Sequence, residues 1–421
     1  PLSSAGNLTL KDSGEEKSGK LVNSSTTNTA YVIESTGTLN IGDVNISGYN
    51  GIKAGGVTTI DGTKIELTNS GAGVYGVRST TDITIENVSI VGTNGTGIQM
   101  DAGNIVVNNA TMDGVYRDFY FRNYSATGTI NGGSYTNATI SVASHSGDLQ
   151  INGGTFICKG SYECFSLYKG VTTVNNATVS GSTGIYVNGR DGITLNLNNS
   201  TVTGTGSFGV RLDGTYGSAN IKKSTIKSEK SDGIYSYTSK SLSIEDTSIV
   251  GYINGLSTYN KTNIKGSEII GQTKYGIRQN SGNSTLTIGE DDDDISTTAP
   301  IIKGDTYGLY IENGITNIYD GIFKGQTGGY SGTITTMPDG YTLKEGTEDI
   351  DGVIYKTNYL GENTAFLQVG DKKFNTINKA IAEAKETGNE IVLIDDANTT
   401  AQGTIDENVN ITIDLNGHTL S

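Results

Sequence analysis

Short apolar phrases recur along the chain at near-constant spacing, and each is followed five residues later by another apolar or aromatic residue. LNIGDVNISG from Leu39, ITIENVSIVG from Ile83, LNLNNSTVTG from Leu195 and LSIEDTSIVG from Leu242 share this form. Taking the central apolar residue as anchor gives Ile41, Ile60, Ile85, Val107, Ile130, Ile151, Val174, Leu197, Ile221, Ile244 and Ile264, about 22 residues per step. Ile288 is a weaker member and Ile318 a later one. The residue five places on is Ile46, Ile65, Ile90, Met112, Tyr135, Phe156, Val179, Val202, Ile226, Ile249, Ile269 and, for the late anchor, Phe323. A second phrase, Gly followed by Ile, Val or Leu, recurs between the pairs, as at Gly76-Val77, Gly184-Ile185 and Gly209-Val210. Each period therefore holds two or three short strands separated by Gly, Asn, Ser and Thr turns.

A unit of this size cannot bury its own apolar face and must stack on its neighbours. The pattern predicts an all-β fold, a right-handed parallel β-helix of about 22 residues per coil with one short amphipathic capping helix. Leucine-rich repeats share the period, but their Leu-x-x-Leu-x-Leu pattern is absent. Asn follows the anchor in five successive coils, at Asn108, Asn131, Asn152, Asn175 and Asn198. This predicts an amide ladder at one bend, each side chain bonding the next. Gly stands seven residues after most anchors, where the chain leaves a strand.

The repeat sets the domain boundaries. Residues 1–330 read as the β-helix shaft, about 13 coils or on the order of 60 Å long. Residues 331–364 read as a turn-rich connector, with turn signals at Pro338-Asp339-Gly340 and Asp351-Gly352. Residues 365–421 read as a capping helix and the first coils of a next β-helix. Asn375 or Thr376 is the N-cap, Ile377, Ala380, Ile381 and Ala384 form the apolar face, and Gly388 is the stop. Strands are expected at 391–394, 403–405 and 411–415. The chain starts in mid-coil at Pro1 without an initiating Met, and its last strands resemble a beginning. We therefore expect one period of a tandem or head-to-tail array, with copies of itself as partners.

Composition supports this picture and narrows function. Of 421 residues, 59 are Gly and only 3 Pro, and the formal net charge is −15. Bends of stacked coils take up Gly and Asn, while Pro would remove a ladder hydrogen bond. The acidity argues against nucleic acid and against an anionic membrane surface, and the apolar runs are too short for membrane insertion. A divalent cation is the one charge partner it suggests.

The phrases Ile391-Val-Leu-Ile-Asp-Asp396, Asn408-Val-Asn-Ile-Thr-Ile-Asp-Leu-Asn-Gly-His-Thr-Leu420 and Asn7-Leu-Thr-Leu-Lys-Asp-Ser13 resemble the opening of pectate-lyase-like β-helix domains in large surface and adhesive proteins of Gram-positive bacteria. Leu286-Thr-Ile-Gly289, Pro300-Ile-Ile-Lys-Gly304 and Tyr319-Asp-Gly-Ile-Phe-Lys-Gly325 look like the later part of such domains. The resemblance implies an extracellular or cell-surface location and a non-catalytic stalk, adhesive or matrix role.

Candidate chemistry is sparse. β-Helix lyases and hydrolases need carboxylates and basic residues gathered on one face. The six arginines fall in separate coils, and Arg190-Asp191 with Arg211-Leu-Asp213 form the best catalytic pair, set against solvated ion pairs. Glu290 and Asp291, Asp292, Asp293 and Asp294 interrupt the repeat after Ile288. They suit oxygen ligation of Ca²⁺, the one cofactor the sequence suggests, or a solvated acidic turn. Cys158 and Cys164 flank five residues and suit a local disulfide in an oxidising exterior or two reduced thiols. Tyr116-Arg-Asp-Phe-Tyr-Phe-Arg122 is the most aromatic patch, suited to carbohydrate stacking or to packing in a larger coil. The expected function is a non-catalytic structural or adhesive extracellular fibre, possible partners being carbohydrate or a host surface. The rival is a carbohydrate-active β-helix, a lyase, a hydrolase or a tailspike-type depolymerase. An enzyme should cluster Asp, Glu, Arg and Tyr along one groove, and a shaft should spread them.

Overall fold

In the computed structural model, the chain from Leu2 to residue 331 winds into a parallel β-helix whose every coil contributes a strand to each of three faces. The structure describes all residues except 1, 28, 72, 146, 190, 191, 238, 293, 294, 398, 400 and 401. Within one coil, Thr96–Met100 belongs to face one, Gly103–Asn108 to face two and Thr111–Asp113 to face three. Parallel strands must return to the same edge before pairing again, so one coil per rung satisfies the backbone without a covering helix layer.

The period read from the sequence is the register of the sheets. Ile85 lies between Ile60 and Val107 on face two, and the chain of pairs runs on without a slip through Val174–Leu197 and Ile244–Ile264 to Ile288–Ile318. The residues five places on stack on face three, Ile46 on Ile65, Tyr135 on Phe156 and Val202 on Ile226. All these side chains point inward into one continuous core. Ile288 pairs on face two as expected, but the acidic insertion delays its coil, and Ile302 takes the face-three place between Ile269 and Phe323.

Two side-chain ladders hold the corner between faces two and three. The amide ladder runs from Asn198 Nδ2 to Asn175 Oδ1 at 3.0 Å and on through Asn152 and Asn131 to Asn108, which donates to Glu86 at 3.0 Å. Two residues further along each coil, hydroxyls do the same work, in a ladder the sequence reading missed. Ser224 Oγ accepts from Ser200 N at 3.2 Å while donating to Lys222 O at 2.8 Å, and Ser200, Thr247 and Ser267 repeat the geometry. Between the two ladders the backbone turns through the left-handed region, at Asn109, Asn176 and Asn199 with φ of 52°, 54° and 47°. Asn tolerates that conformation better than other side chains, which explains the Asn-Asn pairs.

Residues 331–364 are more ordered than a turn-rich connector. Tyr341–Ile350 and Val353–Glu362 form an antiparallel hairpin, closed at the predicted Asp351-Gly352 turn, and its second strand pairs with Ile322–Gly325. The hairpin thus covers the edge of the last parallel rung on face three. Beyond it, Ile377–Thr387 is the helix, capped by Thr376 and ended by Gly388. Its four apolar residues pack on Leu367, Val369, Ile391 and Leu393 as a second, small core. Residues 403–405 do not form the expected strand.

Candidate functional site

Face one differs from the others in what it sends outward. Its inward positions follow the Gly-apolar phrase, with Val77, Ile98, Ile185, Val210, Ile234 and Ile277 in register. Alternation along a strand then turns the next residue to solvent. That column holds Glu34, Lys53, Arg78, Gln99, Tyr120, Tyr186, Arg211, Tyr235, Arg278 and Tyr310, with Ala or Ser in the other coils and the Gln99 side chain itself buried. Arg117 and Arg122 flank it, so all five arginines among the described residues lie on face one. Arg190 and Asp191 lie outside the described residues. The sequence carried the signal in the residue after each Gly-apolar pair, as in Gly76-Val77-Arg78 and Gly233-Ile234-Tyr235. Taken coil by coil, the arginines conceal their common column.

The arginines are set in aromatic and acidic surroundings. Arg117 lies between the rings of Tyr116 and Tyr120, 4.8 and 4.7 Å from their centroids. Arg211 stands over Tyr186 at 5.3 Å and pairs with Asp213 at 2.6 Å. Arg78 Nε donates to Asp101 Oδ2 at 2.6 Å, and Arg122 approaches the same carboxylate at 3.8 Å. Arg278 meets Glu312 through Nε at 2.9 Å and Nη2 at 2.7 Å. Rings also stack on one another: His145 on Tyr168 at 4.1 Å, Phe208 on Tyr235 at 4.9 Å and Tyr275 on Tyr310 at 4.3 Å. Partial burial, followed by the neighbouring Tyr259 hydroxyl, pushes the Tyr235 phenol up to about 12, so it remains a hydrogen-bond donor at any ordinary pH.

A cleft of about 380 Å³ opens in this strip between Phe208, Tyr235 and Tyr275, with Arg278, Glu312 and Lys274 at its rim. The buried carboxyl of Asp232 stands at its wall. Burial raises its pKa, and its Oδ1 accepts from both Asn254 N and Asn254 Nδ2, at 3.1 and 3.0 Å. A second cleft of about 690 Å³ follows, where Tyr307 and Tyr330 face the hairpin residues Glu345 and Lys356. Flat rings with Arg-carboxylate pairs beside them can stack sugar rings and hydrogen-bond neighbouring hydroxyls.

Arg211 and Asp213 thus belong to the strip. Carboxylates as a class do not: Asp61, Glu86, Glu245 and Glu268 stand on faces two and three. Arg and Tyr are clustered and Asp and Glu are spread. Of the acidic run, Asp291 and Asp292 are exposed, Asp293 and Asp294 lie outside the described residues, and Glu290 pairs with Lys265. Among the described residues no group of three or more His, Cys, Asp or Glu side chains could hold a metal ion. Cys158 and Cys164 are joined as a disulfide. No described helix is long and apolar enough to cross a membrane. No family model matches the chain, and neither curated proteins nor solved structures give a significant match.

Proposed function

We propose that this chain is a glycan-binding β-helical module of an extracellular surface protein, adhesive in role, with face one as its binding strip. The observation that carries the proposal is the register of that face, which brings every described arginine and rows of stacked tyrosines onto one side of a shaft whose other faces are covered by Asn, Thr, Lys, Asp and Glu. Packing alone does not ask for such a column, because the inward residues already fill the core. The disulfide supports an oxidising compartment. The test is binding of the chain to a panel of polysaccharides. Tyr120→Ala and Tyr186→Ala should weaken binding while Thr203→Ala and Asn220→Ala, on the other faces, should not. Equal loss from both pairs, or no polysaccharide bound, would reject it.

Turnover of the bound glycan is the second reading, favoured by Asp213, Asp232 and Glu312 standing beside arginines on the same face. Release of new reducing ends from a bound polymer would establish it.

A further inference from the structure

We infer that the glycan taken by face one is a neutral one, and that its main subsite is the cleft between Phe208, Tyr235 and Tyr275. The inference rests on the glycan-binding reading above and adds the ligand's class and the place of tightest contact.

The charge arrangement decides the class. A strip holding every described arginine could be an anion-binding track, but its guanidinium groups are largely spoken for. Arg78 and Arg122 share Asp101, Arg211 holds Asp213, and Arg278 holds Glu312 through two nitrogens on one oxygen. A ligand carboxylate would have to displace a carboxylate already in place, and the formal charge of −15 adds a repulsive background. At the cleft, the lining carries Asp232 and Glu312 as well as Lys274 and Arg278. Arg117 has no ion pair among the described residues, but it is sandwiched between two tyrosine rings three rungs or more from the cleft. Neutral hydroxyls ask for what remains: paired donors and acceptors held rigidly, between flat apolar rings.

Geometry selects the cleft. Tyr235 and Tyr275 are each held by a neighbouring ring, Tyr235 by Phe208 at 4.9 Å and Tyr275 by Tyr310 at 4.3 Å, so little side-chain freedom is lost on binding. Arg278 and Glu312 place a locked donor-acceptor pair at the edge of the same cleft. Successive rungs advance about 4.8 Å along the axis, so the platforms lie along the shaft and suit an extended chain of rings parallel to it.

The experiment is calorimetric titration of the full chain with soluble neutral oligosaccharides (β-glucan, chitin, mannan and α-glucan fragments) and with acidic ones (galacturonate, glucuronate and alginate fragments), at low and high salt. The expected result is binding of a neutral fragment that salt leaves unchanged, weakened about tenfold by Tyr235→Ala and by Tyr275→Ala, each removing one stacking platform. Tyr162→Ala, on the disulfide loop, is the control for an exposed tyrosine elsewhere and should have no effect. Far-ultraviolet dichroism and melting of each variant report folding independently. Binding of acidic fragments alone, with affinity falling steeply in salt, would overturn the neutral class and leave glycan binding standing. Neutral binding indifferent to both cleft variants would overturn the subsite. No binding of any fragment would remove this inference, and rejection of the polysaccharide panel as well would remove the glycan reading beneath it.

Discussion

Ser141 Oγ donates a hydrogen bond of 2.5 Å to Asp118 Oδ2 inside the shaft, and neither side chain reaches solvent. Both occupy a column that is glycine in most other coils. Part of the reason lies in the rings opposite: Tyr135 and Phe156 occupy face-three places where most other coils carry Ile or Val, and a ring has no second Cγ to crowd the column. Burial raises the Asp118 pKa well above 3.8, so the acid is protonated in the fold over a range where the unfolded chain ionises.

The sign of its effect on stability follows. A carboxyl with a raised folded-state pKa supports the fold fully only below its unfolded value, and that support is lost as pH rises towards and through the folded value. Asp118→Asn keeps the shape and removes the titration. The variant should be more stable than the parent on the alkaline side and less dependent on pH above 3.8. Denaturant unfolding of both proteins across that range is the check, and parallel stability curves would refute the assignment.

Asn152 sits in mid-ladder, donating to Asn131 and accepting from Asn175, both at 3.0 Å. Asn152→Ala removes the bond to Asn131 and leaves the Asn175 and Gln150 amide donors without that acceptor, so we expect a loss of about 1–2 kcal/mol in denaturant unfolding. Asn198→Ala, which loses only the bond to Asn175, should cost less. Equal losses would mean that the ladder acts through solvent rather than through direct bonds.

Much of the fold was legible because stacking writes itself into sequence. An inward position must be apolar in every coil, so Ile85, Val107 and Ile130 announce their own register, and Asn108 to Asn198 announce a bend. The hairpin at 341–362 was not legible. It is an edge ribbon with little buried apolar surface, and only its Asp351-Gly352 turn has a composition that stands out. The site was half legible. The Tyr116–Arg122 patch and the Arg211-Asp213 pair were visible as local clusters. Their membership of one strip depends on outward residues from different coils, which no inward constraint keeps alike. Tyr235 and Arg278 are two rungs apart in space and 43 residues apart in sequence, and only the register joins them.

Gly209 shows how tightly the column beside that strip is built. A Cβ there would stand 2.6 Å from Ile226 Cγ2 and 2.7 Å from Gly233 O, the second a backbone atom that cannot step aside alone. Gly209→Ala should therefore destabilise the fold by about 1–3 kcal/mol, the usual cost of overpacking. Gly282→Ala, where nothing lies within 4 Å of the added carbon, should be nearly neutral. Thermal melting of the two variants separates local crowding from a general need for glycine. A tolerated Gly209→Ala would mean that faces one and three can move apart.

The Cys158–Cys164 disulfide closes a short loop at the corner between face three and face one. Cys164 is fully buried in the glycine column, while the residues between the two sulfurs lie largely at the surface. A crosslink over so short a loop limits few unfolded conformations, and its expected contribution is about 2 kcal/mol. Reduction should therefore lower the melting temperature without unfolding the shaft, because the strand before the loop stays paired on both sides, with Ser134–Ala138 in one neighbouring rung and Thr178–Gly181 in the other. Hydrogen exchange should quicken at 157–165 and stay slow at Ile151 and Val174 on face two. Exchange that spreads to those two residues on reduction would show the disulfide to be a global fastener rather than a local one.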